Sequence, residues 1–222
     1  QTPTGDKDPF ALRRHALGVV RMLIERDLSA QFHELTRLAF NAFPGGVLQD
    51  HVVELDEFLI ERLKGYLRDA GSSAAEVDAA IHAQKLGKWS TLPKRLAAVR
   101  AFAALPEAPA LAAANKRVGN ILKKAEGAVE PHVNDALLVE PAEKALADAL
   151  KLIAPKADAA WAAGQYAENL QALAALKGPV DDFFDKVMVN AEDPALKANR
   201  LGLLATLHAA MNRVADLSRL AA

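Results

Sequence analysis

The chain has 222 residues with a net charge of −1, and 51% of its residues are apolar while 25% are charged. It contains no cysteine, which excludes a disulfide framework and thiolate metal sites. No apolar run approaches the roughly 18 residues that span a bilayer, so we expect a cytoplasmic protein without membrane contact. Because the chain starts on a polar segment without a methionine, we also expect it to be part of a longer protein.

One stretch of the chain is strongly basic, although the chain as a whole is nearly neutral. Residues 85–124 contain nine Lys and Arg and one acid, Glu107, which together give +9 − 1 = +8. Such a local excess of positive charge predicts an anionic partner, and a polyphosphate backbone is the commonest one.

The composition is typical of an all-α protein. Ala and Leu dominate and only 5% of the residues are aromatic, which favours helices packed through small side chains over sheets. We predict a helical bundle of about nine to ten helices without a strand. We divide it into two helical subdomains, over residues 1–71 and 72–222, with the boundary after Gly71.

The first predicted helix begins at Asp8, a favourable N-cap that Pro9 follows, and runs to about Asp27. Helices are then predicted at about residues 30–42, 49–69 and 72–83. The next two cover about residues 91–105 and 108–125.

Proline punctuates the last part of the chain. Pro155 is expected to divide a helix at about 138–153 from one at about 156–176, because proline breaks the helical hydrogen-bond ladder. A short helix is predicted at about 180–189. Pro194 predicts the first position of the last helix, which we expect to run to about residue 220.

Three blocks of the sequence resemble the bacterial glycyl-tRNA synthetase β subunit. Each mixes polar and apolar residues in a way that helix packing alone would not dictate. The blocks read TGDKDPFALRR at 4–14, ANKRV with NILKK at 114–124, and PVDDFFDKVMV at 179–189 followed by Asp193 and Asn199-Arg200-Leu201. From about residue 114 the chain also resembles the helical anticodon-binding domain of arginyl-tRNA synthetases, the DALR type.

The resemblance implies that the chain is the C-terminal part of a longer β subunit. A region related to HD-type hydrolases would lie mostly upstream. The family's function would be to bind glycine tRNA and position it for ATP-dependent glycylation at the active site of an α subunit, in an α2β2 assembly. The resemblance implies no cofactor for this chain, since ATP and Mg²⁺ would bind at the α subunit, and no catalysis by this part alone.

The helix at about 108–125 carries the candidate tRNA contacts. Its apolar side chains share one face, while the opposite face is rich in hydrogen-bond donors. Lys and Arg there would neutralise phosphates and Asn would address a base edge, such as that of the two cytosines that end a glycine anticodon. A solvated lysine-rich face is the alternative that the pattern leaves open. The candidate residues are Lys116, Arg117, Asn120, Lys123 and Lys124, with Lys94 and Arg95 extending the surface from the preceding helix.

Arg200 and Trp89 are predicted to have structural roles. We expect Arg200 to pair with Asp182 or Asp185 and so to connect the last two helices, and we expect Trp89 to close a helix corner more readily than to stack on a base. No histidine spacing, nucleophile arrangement or phosphate loop predicts a metal or catalytic site.

Two other functions remain open. One is a helical scaffold for subunit assembly without anticodon reading, which a large exposed apolar patch would support. The other is a hydrolase of the HD type, which would need His and Asp ligands converging on one metal.

Overall fold

The computed structural model describes residues 8, 10–84 and 87–221, and the predicted all-α class is confirmed. Within these residues there are ten α-helices, three short 3-10 helices (Trp89–Thr91, Asp135–Leu137 and Leu217–Leu220) and no strand. The α-helices are α1 (Leu12–Glu25), α2 (Phe32–Asn41), α3 (Val52–Asp69), α4 (Ala74–Gln84), α5 (Leu92–Ala103), α6 (Ala108–Lys123), α7 (Pro141–Ala162), α8 (Tyr166–Ala174), α9 (Lys177–Lys186) and α10 (Pro194–Met211).

The chain folds as two compact units, Gln1–Leu96 and Ala97–Ala222. The division falls inside α5, later than the boundary at 71/72 that the sequence suggested. The physical reason is that α4 and the segment after it contribute Val77, Ile81 and Trp89 to the core of the first unit.

The first unit is built on α1 and α3, which pack against each other, with α2 and α4 against α3. Both carboxylate oxygens of Asp8 accept backbone N–H groups, from Leu12 at 2.8 Å and Arg13 at 3.0 Å, so Asp8 caps the first turn of α1. Pro9 lies outside the described residues. At the other end of the unit the rings of Phe32 and Trp89 stack with centroids 3.7 Å apart, and both are buried.

The second unit is a bundle in which α7 packs against α8 and α9, while α6 packs against α9, α10 and the 3-10 helix Leu217–Leu220. Its core is made of fully buried side chains from each of these helices, which removes their apolar surface from water. They include Leu111, Leu146, Leu173, Phe183 and Leu203.

The prediction that Pro155 breaks the chain into two helices is wrong. Helix α7 continues through Pro155 to Ala162, and the chain turns at Gly164, whose φ is +72°. Proline removes one helical N–H, so the carbonyl of Lys151 loses its partner. Pro155 and Lys151 are both exposed, so water can donate a hydrogen bond to the carbonyl of Lys151.

The last helix begins where it was predicted but ends earlier. The carboxylate of Asp193 accepts the N–H of Ala195 at 2.7 Å, and Pro194 occupies the first turn of α10. The helix ends at Met211, and a turn leads to the 3-10 helix Leu217–Leu220.

Arg200 forms a buried ion pair, but its partner is not one of the predicted aspartates. Its Nε donates to Oε1 of Glu143 at the start of α7, and its Nη1 donates to the carbonyl of Met188 at 2.7 Å. Asp182 instead pairs with Lys186 on its own helix, and Asp185 is exposed. The buried position of Arg200 decides the partner, since the carboxylate of Glu143 is buried beside it while the aspartates face water.

Removing this arginine is expected to destabilise the chain strongly. Arg200→Ala leaves the buried carboxylate of Glu143 without a cation, so the free energy of unfolding should fall by about 3–5 kcal/mol, measured by urea denaturation. The matched control is Lys151→Ala, which breaks the exposed Lys151–Asp135 pair and should cost less than about 1 kcal/mol. Equal losses in the two variants would contradict a stabilising role of the buried pair.

Two helical glycines should respond oppositely to substitution by alanine. At Gly202 in α10 a Cβ would overlap the carbonyl oxygen of His132, so Gly202→Ala should lower the free energy of unfolding by about 1–3 kcal/mol or more. At Gly119 in α6 a Cβ would lie 3.5 Å from Nε2 of His208, which is an ordinary contact. Gly119→Ala should therefore raise the free energy of unfolding by about 0.5–1 kcal/mol. Denaturation of both variants tests this difference, and a shift of the same sign in both would refute it.

Candidate nucleic-acid interface

The inner face of α6 is fixed by apolar packing and by one pair of amides, in which Asn115 is buried and Asn212 is partly buried. Leu111, Ala114 and Val118 point into the core of the second unit. Asn115, also fully buried, donates from Nδ2 to Oδ1 of Asn212 at 2.8 Å, and Asn212 donates back to Oδ1 of Asn115 at 3.0 Å. Because both amides satisfy each other, this pair sets which residues of α6 face outward.

The outer face of α6 carries most of the predicted contact residues. Lys116, Arg117, Asn120, Lys123 and Lys124 are all exposed. Four of these five, together with Ala113 and Ile121, line one shallow depression of about 400 Å³. The structure therefore brings three cations and one amide into a single concave surface that has no acid in its lining.

The cations of this surface are not neutralised within the described part of the chain. No ion pair there involves Lys116, Arg117 or Lys124. On the adjacent helix α9, by contrast, Lys177 and Lys186 each pair with an aspartate of α9 itself. The uncompensated charge of α6 makes its outer face attractive to an anion.

The position of a cation along α6 determines whether the helix dipole alone can explain its presence. Lys123 and Lys124 lie at the C-terminal end, where a cation stabilises any helix through its dipole. Lys116 lies in the middle of α6, where that explanation does not apply. Lys116 is therefore the stronger indication of an anionic ligand.

Arg117 has an aromatic partner that the sequence did not reveal. Its guanidinium carbon lies 4.2 Å from the centroid of the Phe184 ring, on α9. The two residues are 67 positions apart (184 − 117) and belong to different blocks of the sequence. Only the packing of α9 against α6 brings them together.

His208 lies behind α6, beside Gly119. Burial lowers the pKa of His208, Asp216 opposes this shift, and the positive charge of Lys123 adds to it. The lowered pKa favours the neutral imidazole, so His208 contributes little positive charge to the basic face.

The two predicted contacts in the first unit differ in exposure. Lys94 is exposed on α5. Arg95 is buried, and its Nε donates to Oγ1 of Thr91 at 3.1 Å, so its position contradicts the prediction of direct contact with tRNA. Trp89 is also buried, stacked on Phe32, which leaves it as a core residue.

The first unit contains an open apolar groove of about 800 Å³ between α1, α2 and α3. Polar atoms are a minor part of its lining, and they come from His15, Thr36, His51 and Glu54. Two of the leucines that line it, Leu35 and Leu55, are exposed. The main apolar lining residues are Leu12, Ala16, Val19, Leu35, Leu55 and Phe58.

The described residues contain neither a metal-binding cluster nor a single membrane-spanning helix. No group of three or more His, Asp or Glu side chains there could hold a metal ion. His33 and Asp56 form a pair, 2.7 Å between Nδ1 and Oδ2, without further ligands around them. By length and apolar character only the bent pair Trp89–Ala103 and Ala108–Lys123 passes as a span, and no single described helix does.

Comparison with known proteins decides the family. A family model described as glycyl-tRNA synthetase beta subunit matches residues 1–82, and one described as DALR anticodon binding domain matches residues 111–217. Over all 222 residues the chain is 64% identical to the glycine–tRNA ligase beta subunit of Leptothrix cholodnii. The chain belongs to the glycyl-tRNA synthetase β-subunit family. The resemblance of the three sequence blocks is thereby confirmed.

Other β subunits of this family are similarly close. The protein of Delftia acidovorans is 63% identical over 99% of this chain, and that of Thiobacillus denitrificans is 60% identical over the whole chain. In each case the chain spans only about a third of the relative, 31% to 32% of its length.

The two family matches fall on different units of the chain. The glycyl-tRNA synthetase match lies within the first unit, and the DALR match lies within the second and includes most of α6. Lys94 and Arg95 lie in neither matched range, whereas the five candidate residues of α6 all lie in the DALR match.

Proposed function

We propose that the second unit binds the anticodon loop of glycine tRNA and that the outer face of α6 is the contact surface. The observation that carries this proposal is the concave surface of Lys116, Arg117, Asn120 and Lys124, whose cations have no carboxylate partner among the described residues. Its position inside the DALR match supports a single-stranded RNA loop as the anion.

The contribution to the reaction would be binding and positioning. Lysines at the surface neutralise phosphates, and Asn120 offers both a donor and an acceptor to the Watson–Crick edge of an unpaired base. Holding the tRNA at its anticodon end orients the acceptor end toward an active site elsewhere, which lowers the entropic cost of the chemical step. In this proposal ATP and Mg²⁺ bind to an α subunit in an α2β2 assembly in the cytoplasm, and this chain holds no cofactor.

The double variant Lys116→Ala/Lys124→Ala should weaken binding of glycine tRNA. Because each lysine would neutralise one phosphate, the affinity should fall about tenfold or more, and the slope of log affinity against log salt should decrease by about 1 to 2. A salt-dependent titration of the chain with a glycine tRNA transcript measures both quantities.

The matched control is Lys144→Ala/Lys156→Ala, which removes two exposed lysines from α7 in the same unit and should leave the affinity unchanged. A second control is a transcript in which both anticodon cytosines are replaced, and it should bind more weakly to the unmodified chain. Equal binding of the two transcripts, or equal losses in the two double variants, would reject anticodon binding by α6.

Subunit assembly is a second candidate function, and the apolar groove of the first unit favours it. The groove is larger than the basic depression and lined mainly by apolar side chains that would gain from burial. We propose the synthetase α subunit as its occupant, since the relatives are named as one subunit of an enzyme. This function resides in the other unit and is compatible with RNA binding by α6.

Charged substitutions in the groove should weaken that assembly. Leu35→Asp and Leu55→Asp each place a carboxylate in the apolar contact, so the affinity for the α subunit should fall about tenfold or more. The control is Leu152→Asp, at an exposed leucine of α7 in the second unit. Binding to the purified α subunit, measured by titration calorimetry, decides the question. Unchanged binding in both groove variants would exclude the groove as the contact.

A further inference from the structure

We propose that Arg117, supported by the ring of Phe184, is a stacking surface for one of the three anticodon bases of the bound RNA loop. This inference rests on the proposed function, because it names the contact that a base makes in the same depression. Arg117 would touch the base, and Phe184 would be a positioning residue that acts through Arg117.

The guanidinium group of Arg117 is planar and lies over the ring of Phe184. The guanidinium carbon of Arg117 lies 4.2 Å from the centroid of Phe184, within the range of cation–π attraction. Arg117 also lines the depression with Lys116 and Asn120, whereas Phe184 does not. Arg117 therefore borders both the ring of Phe184 and the open surface.

The ring that supports Arg117 is itself held in place. Phe184 is half-buried on α9, and it meets the fully buried Phe183 edge to face, with centroids 5.6 Å apart and planes at 80°. A ring fixed in this way limits the rotamers of the arginine above it. An exposed arginine is ordinarily mobile, so this support reduces the entropy that ordering it would cost.

A second pair in the same unit shows what distinguishes Arg117. Arg213 lies over Trp161 at the same distance, 4.2 Å, but its guanidinium also donates to the carboxylate of Asp158. Arg213 is therefore already paired with a carboxylate of the protein. Arg117 has an aromatic partner at the same distance but no carboxylate partner among the described residues, so its donors and its remaining surface are available to a ligand.

Unpaired bases are the ligand class that fits this surface. A splayed base stacks on the plane of a guanidinium as it does on an aromatic ring, and a planar cation suits the electron-rich face of the base. Lys116 and Lys124 on the same depression would contact the flanking phosphates, and Asn120 would reach the base edge. Stacking accepts any base, so discrimination among bases would come from Asn120 and not from Arg117.

The test uses glycine tRNA with an intact anticodon and three transcripts that each lack one anticodon base. Arg117→Lys keeps the charge but removes the planar group, and it should lower the affinity for intact tRNA about fivefold or more. Phe184→Leu removes only the support and should lower it about two- to fivefold. One abasic transcript, and only one, should lack the base that stacks on Arg117. For that transcript Arg117→Lys and Phe184→Leu should bind with the same affinity as the unmodified chain.

The control is Trp161→Leu, which removes the aromatic ring beneath Arg213 and should affect intact and abasic transcripts alike. If the unmodified chain binds tRNA and Lys116→Ala/Lys124→Ala weakens it, while Arg117→Lys loses the same affinity for every transcript, stacking is overturned and the proposed function stands. If the unmodified chain does not bind tRNA, the proposed function falls and the stacking surface with it. Circular dichroism of each variant at the titration temperature separates these results from unfolding.

Discussion

The second unit depends on one buried network that connects the beginning of α7 to the middle of α10. Glu143 accepts the backbone N–H groups of Val139 and Glu140 with one carboxylate oxygen and Arg200 with the other. A carboxylate this deeply buried would be costly without a full set of donors, and here the helix start and the arginine supply them. The same arginine donates to the carbonyl of Met188, so the segment that follows α9 is held as well.

Two neighbours of Arg200 extend this network along the segment that leads into α7. Asn199 accepts the N–H of Asn134 at 2.7 Å and donates to its carbonyl at 3.1 Å, and Gly202 allows the carbonyl of His132 to approach α10. Three residues within one turn of α10 thus define the path of the loop before α7. They explain physically why a block containing Asn199-Arg200 has a mixed polar and apolar character inside a packed helix.

The local features of the sequence predicted most of the helices and the two faces of α6, because both follow from periodicity and capping. What periodicity cannot supply is the partner of a buried polar group. The sequence placed Arg200 correctly as structural but assigned the wrong carboxylate, since the choice depends on which acid shares its burial. Arg95 was predicted to contact RNA but is buried, because tertiary packing decides whether a charged side chain is exposed. Helix α7 continues through Pro155 because Pro155 and Lys151 are exposed, so water can replace the lost hydrogen bond. The pairing of Arg117 with Phe184 depends on tertiary packing. It cannot be predicted from the sequence of the block at 114–124 or of the block at 179–189.

The pair of amides formed by the buried Asn115 and the partly buried Asn212 has a consequence for recognition. Each amide has one orientation that satisfies the other, so α6 cannot turn about its axis without leaving a buried donor or acceptor unpaired. The outward face is therefore preorganised: its direction is set during folding and not at the moment of encounter. A ligand that meets this helix loses its own freedom, but it does not have to order the helix that receives it.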